Sequence, residues 1–181
     1  HWPGRVEIVG NEFSWTSWSD WWETEVSLYW TDDATGLSCK GRADMLAVIS
    51  DEDSKEWAEV ADLKTVKSID PRALAREIAS MGYHAQIEHY AAGVEAVRGV
   101  PVERVGFLCV EGQPPYDVGF YWLDDEARAA GRALRDRLLR IVADAAETGD
   151  YPGQCPEPAT ISLPAWALDS AHGDTFTSSG S

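Results

Sequence analysis

Two polar runs, T-D-D-A-T-G at 31–36 and D-E-D-S-K-E at 51–56, divide residues 25–66 into three apolar-rich pieces. Pieces of this length between turn-forming residues read as strands. Strands in succession, joined by short polar turns, pair antiparallel. The three strands are expected at 25–30, 37–50 and 57–66. A helical region follows: Asp70 is placed as N-cap and Pro71 as first helical residue, and Gly82 should end that helix. A second helix is expected from Tyr83 to Val97. Strands at 102–112 and 118–123 flank the turn Q-P-P-Y-D. Asp124 or Asp125 then caps a long helix ending near Gly149, with an apolar stripe of Ala127, Ala130, Leu134, Leu138, Ile141 and Ala145. Upstream, residues 5–9 read as a short strand. Trp15, Trp18 and Trp22 have helix-like spacing, or else lie on a loop that runs into the first of the three strands. Their rings read as core or cover in preference to a base-stacking surface. The order β-β-β-α-α-β-β-α predicts an α/β fold, a mixed sheet flanked by helices. The end of the chain is rich in Pro, Gly and Ser. One domain is therefore expected over 1–167 and a disordered tail over 168–181.

Composition narrows the function. The 181 residues suit one domain with a real core. Against 31 Asp plus Glu there are 15 Lys plus Arg, a net charge of -16. That excludes a simple basic nucleic-acid binder, though not a local basic channel. It also suits carboxylates that hold a divalent metal. Cys39, Cys109 and Cys155 are odd in number and widely spaced. They form no disulfide framework, zinc ribbon or iron–sulfur set, and a reducing cytoplasm is the default compartment. No run of about 18 apolar residues suggests a membrane helix. The start has no secretory-signal pattern. It is also not Met, and we read the chain as a fragment or a processed form.

The strand E-V-A-D-L-K-T at 59–65 carries an acid and an amine on one face, because alternate side chains share a face. Taken alone, D-x-K reads as a surface salt bridge. Its context argues otherwise. Asp44 lies one hairpin upstream, so Asp44 and Asp62 can converge from adjacent strands with Lys64 beside them. Two such carboxylates repel, and a hard divalent cation removes the conflict. The lysine would stabilise developing negative charge, which makes a metal-dependent phosphodiester hydrolysis site. Gln86 and Tyr90, at i and i+4, lie on one face of the second helix and can hold a DNA backbone over the metal. His84 is a candidate phosphate contact, although a packing histidine reads better. His84 and His89 do not complete a zinc set. Arg132, Arg135, Arg137 and Arg140 read as a solvated helix face.

Taken together, G-R-A-D at 41–44, D-L-K-T at 62–65 and Q-I-E-H-Y at 86–90 resemble the PD-(D/E)XK nuclease superfamily. The likeness is to RecB-like and RecE-like (exonuclease VIII-like) phage and prophage exonucleases, over roughly residues 23–165. It implies a restriction-endonuclease-like core. It further implies that Asp44, Asp62 and the Leu63 carbonyl are metal ligands, that Lys64 is the catalytic amine, and that Gln86 and Tyr90 are the helical motif beside the site. Glu25 is a further candidate carboxylate, with an exposed strand acid as the alternative, and Thr65 a supporting residue. The implied cofactor is Mg²⁺, with Mn²⁺ able to substitute. The implied activity is exonucleolytic hydrolysis of double-stranded DNA ends in recombination or repair, in the cytoplasm of a bacterial or phage-infected cell. A homo-oligomeric ring and a single-strand annealing or recombinase partner are implied with it. An endonuclease or a CRISPR-adaptation-type nuclease of the same superfamily (the latter commonly has a four-cysteine cluster, which this sequence lacks) and an inactive nuclease-fold binding module are the alternatives. RecB-like members also carry a histidine on a helix well before the first aspartate. No such helix precedes Glu25 here, so either a preceding segment is absent or this branch lacks it.

Overall fold

The computed structural model describes residues 7–9, 12–14, 22–151, 153 and 157–169. The upstream strand is β1 (Glu7–Val9), paired antiparallel with β2 (Glu12–Ser14). Trp15, Trp18, Cys155 and residues 170–181 lie outside the described residues. Trp22 opens strand β3 (Trp22–Thr31), three residues earlier than expected.

The three-stranded meander is present: β3, β4 (Ser38–Ser50) and β5 (Glu56–Val66) are antiparallel neighbours. Side chains fix both turns. Asp32 accepts from the Thr35 N–H (3.0 Å) and hydroxyl (2.8 Å), and Asp51 accepts from the N–H groups of Asp53 (3.0 Å) and Lys55 (2.8 Å). Such bonds explain why Asp and Thr mark turns. Helix α1 (Pro71–Met81) starts as read, with Asp70 accepting from the Arg72 and Ala73 N–H groups. Gly82 adopts φ 70°, a left-handed conformation glycine takes without steric cost, and joins α1 directly to α2 (Tyr83–Arg98). Strands β6 (Val102–Glu111) and β7 (Val118–Trp122) complete a sheet of order β3-β4-β5-β6-β7, in which only the β5–β6 pair is parallel. The two helices form the crossover a parallel pair requires. Helix α3 (Asp125–Thr148) is capped by Asp124, and a short α4 (Ala165–Asp169) ends the described chain.

The core lies between the sheet and α2. Val60, Val105, Phe107 and Cys109 meet Ile87, Ala91 and Val94, with Leu28 and Leu46 completing the layer. Among the described residues no helix is long and apolar enough to cross a membrane.

Helix α3 corrects the apolar stripe read from sequence. Leu138 and Ile141 are exposed, whereas Gly131 is buried. The face that meets α2 is charged. Arg128 Nε donates to Glu88 (2.7 Å), and its other nitrogens donate to the carbonyls of Glu103 (2.6 Å) and Val102 (3.1 Å). Arg132 also reaches Glu88, and Arg135 pairs with Asp32. Arg135 is therefore a turn anchor and not part of a solvated face, whereas Arg132 reaches Glu88 from an exposed position and Arg137 and Arg140 are exposed as read. The stripe failed because arginines with buried partners pack inward while aliphatic residues elsewhere on the helix face outward.

Glu88 is 3% exposed, so removing its charge strands Arg128. Glu88→Gln should lower unfolding free energy by about 3 kcal/mol, measured by urea denaturation. A loss within experimental error would show that the pair does not hold α3 to α2.

Candidate active site

The β4–β5 ladder ends at the pair Met45–Ala61. Beyond it β5 continues through Val66 with β6 as its ladder partner. The backbone N–H of Leu63 is bonded to the Asp44 carboxylate (Oδ2, 2.9 Å). On the other side of β4, Thr24 pairs with Met45 and Val26 with Ala43, while Glu25 and Asp44 between them are left out of the ladder. Glu25 has φ 56°, a left-handed conformation that costs a non-glycine residue about 1–2 kcal/mol. The core side of β4 passes from Ala43 to Leu46, so the alternation slips at this point. The irregularity is what turns Asp44 toward β5.

Asp62 and Lys64 face the α2 side of the sheet with Val60. Asp62 is 3% exposed. Lys64 Nζ lies 2.5 Å from Asp62 Oδ2, and that oxygen, shut off from solvent, has no well-aligned hydrogen bond. Lys64 Nζ also donates to Gln86 Oε1 (2.9 Å), and Gln86 Nε2 donates to the Tyr90 hydroxyl oxygen (2.8 Å). The polarity of this relay is fixed at its start: an ammonium only donates, so the Gln86 carbonyl must face it and the amide must face Tyr90. The Tyr90 hydroxyl hydrogen is left for a further acceptor. Burial pushes the Asp62 carboxyl pKa up; Lys64 opposes this, and the charge of Asp44 adds to it.

The sequence thus brought together Asp44, Asp62, Leu63, Lys64, Gln86 and Tyr90. Leu63 is half exposed between the two charged residues. The other three candidates sit differently. Glu25 occupies the position facing Asp44 on β3, with its carboxylate ion-paired to Arg42 (2.7 Å). Thr65 is exposed on the opposite side of β5 from Lys64. His84 Nδ1 lies 3.3 Å from the Ile78 carbonyl at the end of α1. Tyr83 was not singled out by sequence reasoning, yet its ring lies 4.4 Å from Lys64 Nζ. The available signal was its spacing, three residues before Gln86 and seven before Tyr90. A groove of about 550 Å³ between the β3–β4 turn and α3 contains none of the six clustered residues. Nor does one of about 480 Å³ between α1 and the start of α3, which His84 lines.

The donor set suits a hard cation. Asp44 and Asp62 are two neighbouring carboxylates, and one oxygen of Asp62 is buried with only a poorly aligned ammonium beside it. Among the described residues no three His, Cys, Asp or Glu side chains gather as a metal site. Two carboxylates, the Leu63 carbonyl and waters match the few-ligand coordination of Mg²⁺.

The raised Asp62 pKa has a stability consequence in metal-free protein. A carboxyl whose folded value exceeds its unfolded value contributes stability below the ordinary carboxylate range. That contribution is lost as pH rises through the folded value. In EDTA, Asp62→Asn should therefore gain stability relative to wild type as pH is raised from about 3.5 to 7, followed by urea unfolding. A difference independent of pH would contradict the burial argument.

Comparison with known proteins places the chain in a family. The family model for the PDDEXK-like domain of unknown function DUF3799 matches residues 17–163. The CRISPR-associated exonuclease Csa1 of Thermoproteus tenax is 38% identical over 71 residues, covering 38% of this chain and 25% of that protein. The chain spans about a quarter of that relative's length. The crystal structure of an exonuclease candidate from Eubacterium rectale has a TM-score of 0.52 at 15% identity, over 84% of this chain and 57% of that one, a likeness of fold. With most of its length under the family model, the chain belongs to the PDDEXK-like domain family DUF3799.

Proposed function

We propose that this chain is a metal-dependent deoxyribonuclease domain acting as an exonuclease on double-stranded DNA ends. The observation that carries the reading is the setting of the Lys64 ammonium. Its side chain is only 15% exposed, and its nitrogen lies 2.5 Å from Asp62 in the notch where β4 and β5 part. A surface ion pair would leave both groups solvated. Here both are withdrawn from water, which strengthens their action on a bound anion.

Mg²⁺, with Mn²⁺ as a substitute, would be held by Asp44, Asp62 and the Leu63 carbonyl and supplies Lewis-acid chemistry for phosphodiester hydrolysis. Lys64 donates an N–H hydrogen bond toward the attacking water or a non-bridging phosphate oxygen, where negative charge develops. Gln86 keeps Nζ in place from α2. Tyr90 offers its free hydroxyl hydrogen to a backbone phosphate. The cations without an ion-pair partner among the described residues include Lys40 on β4, Lys67 just past β5, and Arg72 and Arg76 on α1. Lys40 shares β4 with Asp44, Lys67 follows the strand that carries Lys64, and α1 comes next in the chain. On a body of net charge -16 these cations are the candidates for the local cationic lining a polyanionic strand requires. The exonuclease mode rests on the names of Csa1 and the Eubacterium rectale protein and on the motif resemblance. A homo-oligomeric ring, an annealing or recombinase partner and a role in recombination belong to the same reading.

Lys64→Ala should slow single-turnover cleavage of linear double-stranded DNA by about 10²–10³ without weakening metal affinity, since an ammonium is not a ligand. Asp62→Asn should weaken metal affinity and cleavage together. Rapid-quench assays across a Mg²⁺ titration separate the two effects. Wild-type cleavage by Lys64→Ala would remove the proposal.

A further inference from the structure

We infer that Tyr83 is a positioning residue for the Lys64 ammonium, an inference that rests on the nuclease reading above. Its ring face stands 4.4 Å from Nζ. An aromatic face attracts a cation through its quadrupole, and more strongly when the pair is desolvated. The ammonium then has three neighbours: Asp62, Gln86 and the Tyr83 ring. These neighbours differ in what they demand. Asp62 is also assigned to the metal, and a carboxylate oxygen shared with a cation holds the lysine less tightly. Gln86 takes one N–H. The ring takes none, because it acts through its face. Tyr83 therefore holds the amine in place while leaving its remaining N–H for water or phosphate. A second carboxylate at this position would compete with the phosphate for it.

The ring is itself fixed. Its centroid lies 6.3 Å from that of the buried Phe107, tilted by 48°. The residue is the first of α2, directly after Gly82 at φ 70°. That junction sets α2 so that Tyr83, Gln86 and Tyr90, at i, i+3 and i+7, form one stripe over Lys64. The working pattern on α2 is thus Y-x-x-Q-x-x-x-Y, one turn longer than the pair recognised in the sequence.

The test compares Tyr83→Met, which fills space without a ring, with Tyr83→Phe, which keeps the ring and loses the hydroxyl. Each is made in wild-type and Lys64→Ala protein. Single-turnover cleavage should fall about tenfold in Tyr83→Met and be rescued to within about twofold by Tyr83→Phe. DNA affinity should be unchanged in both. In the Lys64→Ala background Tyr83→Met should cost no more than about twofold. In metal-free protein the Lys64 ε-methylene protons should show an upfield ring-current shift by NMR that Tyr83→Met abolishes and Tyr83→Phe retains. If Tyr83→Met does not fold, Tyr83→Leu takes its place. Equal losses in both backgrounds, equal losses in the Met and Phe variants, or an absent ring-current shift would overturn the inference. Wild-type cleavage by Lys64→Ala would instead overturn the nuclease reading on which it rests.

Discussion

The separation of β4 from β5 after Met45–Ala61 is the constraint on which the site depends. A continued ladder would occupy the Leu63 N–H with backbone and hold Asp44 in the regular alternation of β4. Because the strands part, a side chain takes over: Asp44 accepts the Leu63 N–H, and its carboxylate is drawn beside Asp62. The left-handed Glu25 and the skipped Glu25–Asp44 position on the other edge belong to the same distortion. Backbone strain of this kind is tolerated where surrounding structure over-determines it. Here the intact β3–β4 pairs on either side and the buried β5–β6 ladder do so.

Helix α2 carries the other half of the arrangement and works on two sides. One side presents Tyr83, Gln86 and Tyr90 to Lys64. The other presents Glu88 to Arg128 and Arg132 of α3. Close approach of the helices is built in at Gly131, where an added Cβ would stand 2.4 Å from the His84 carbonyl oxygen. The relay to Lys64 therefore has a firm support, since a shift of α2 would break both sets of contacts. Rigid elements hold catalytic groups more closely than loops do. Lys64 sits on a central strand with Asp62, and its partner Gln86 on a packed helix.

Much of this was legible in the sequence because the signals are local. Asp70–Pro71, Gly82 and Asp124 mark helix ends through bonds to adjacent backbone, and they act so here. The strands at 37–50 and 57–66 followed from turn residues whose side chains do close the turns. Convergence of Asp44 and Asp62 followed from one hairpin. What was not legible depends on long-range partners. The inward face of α3 is set by Glu88 and Asp32, at sequence separations of 40 and 103, which no periodicity reports. Tyr83 reads as an ordinary helix-start aromatic until β5 is placed beneath it. The slip of alternation at Asp44 comes from the strands parting, and the hydrophobic pattern of β4 alone does not reveal it.

The central claim is that the parted strands form a cation site next to Lys64. Diffraction from a Mn²⁺-soaked crystal, collected at the manganese edge, tests it most directly. An anomalous peak is expected at about 2.0–2.6 Å from carboxylate oxygens of Asp44 and Asp62 and from the Leu63 carbonyl. No peak at that notch under saturating Mn²⁺, with Lys64 still seated on Asp62, would contradict it.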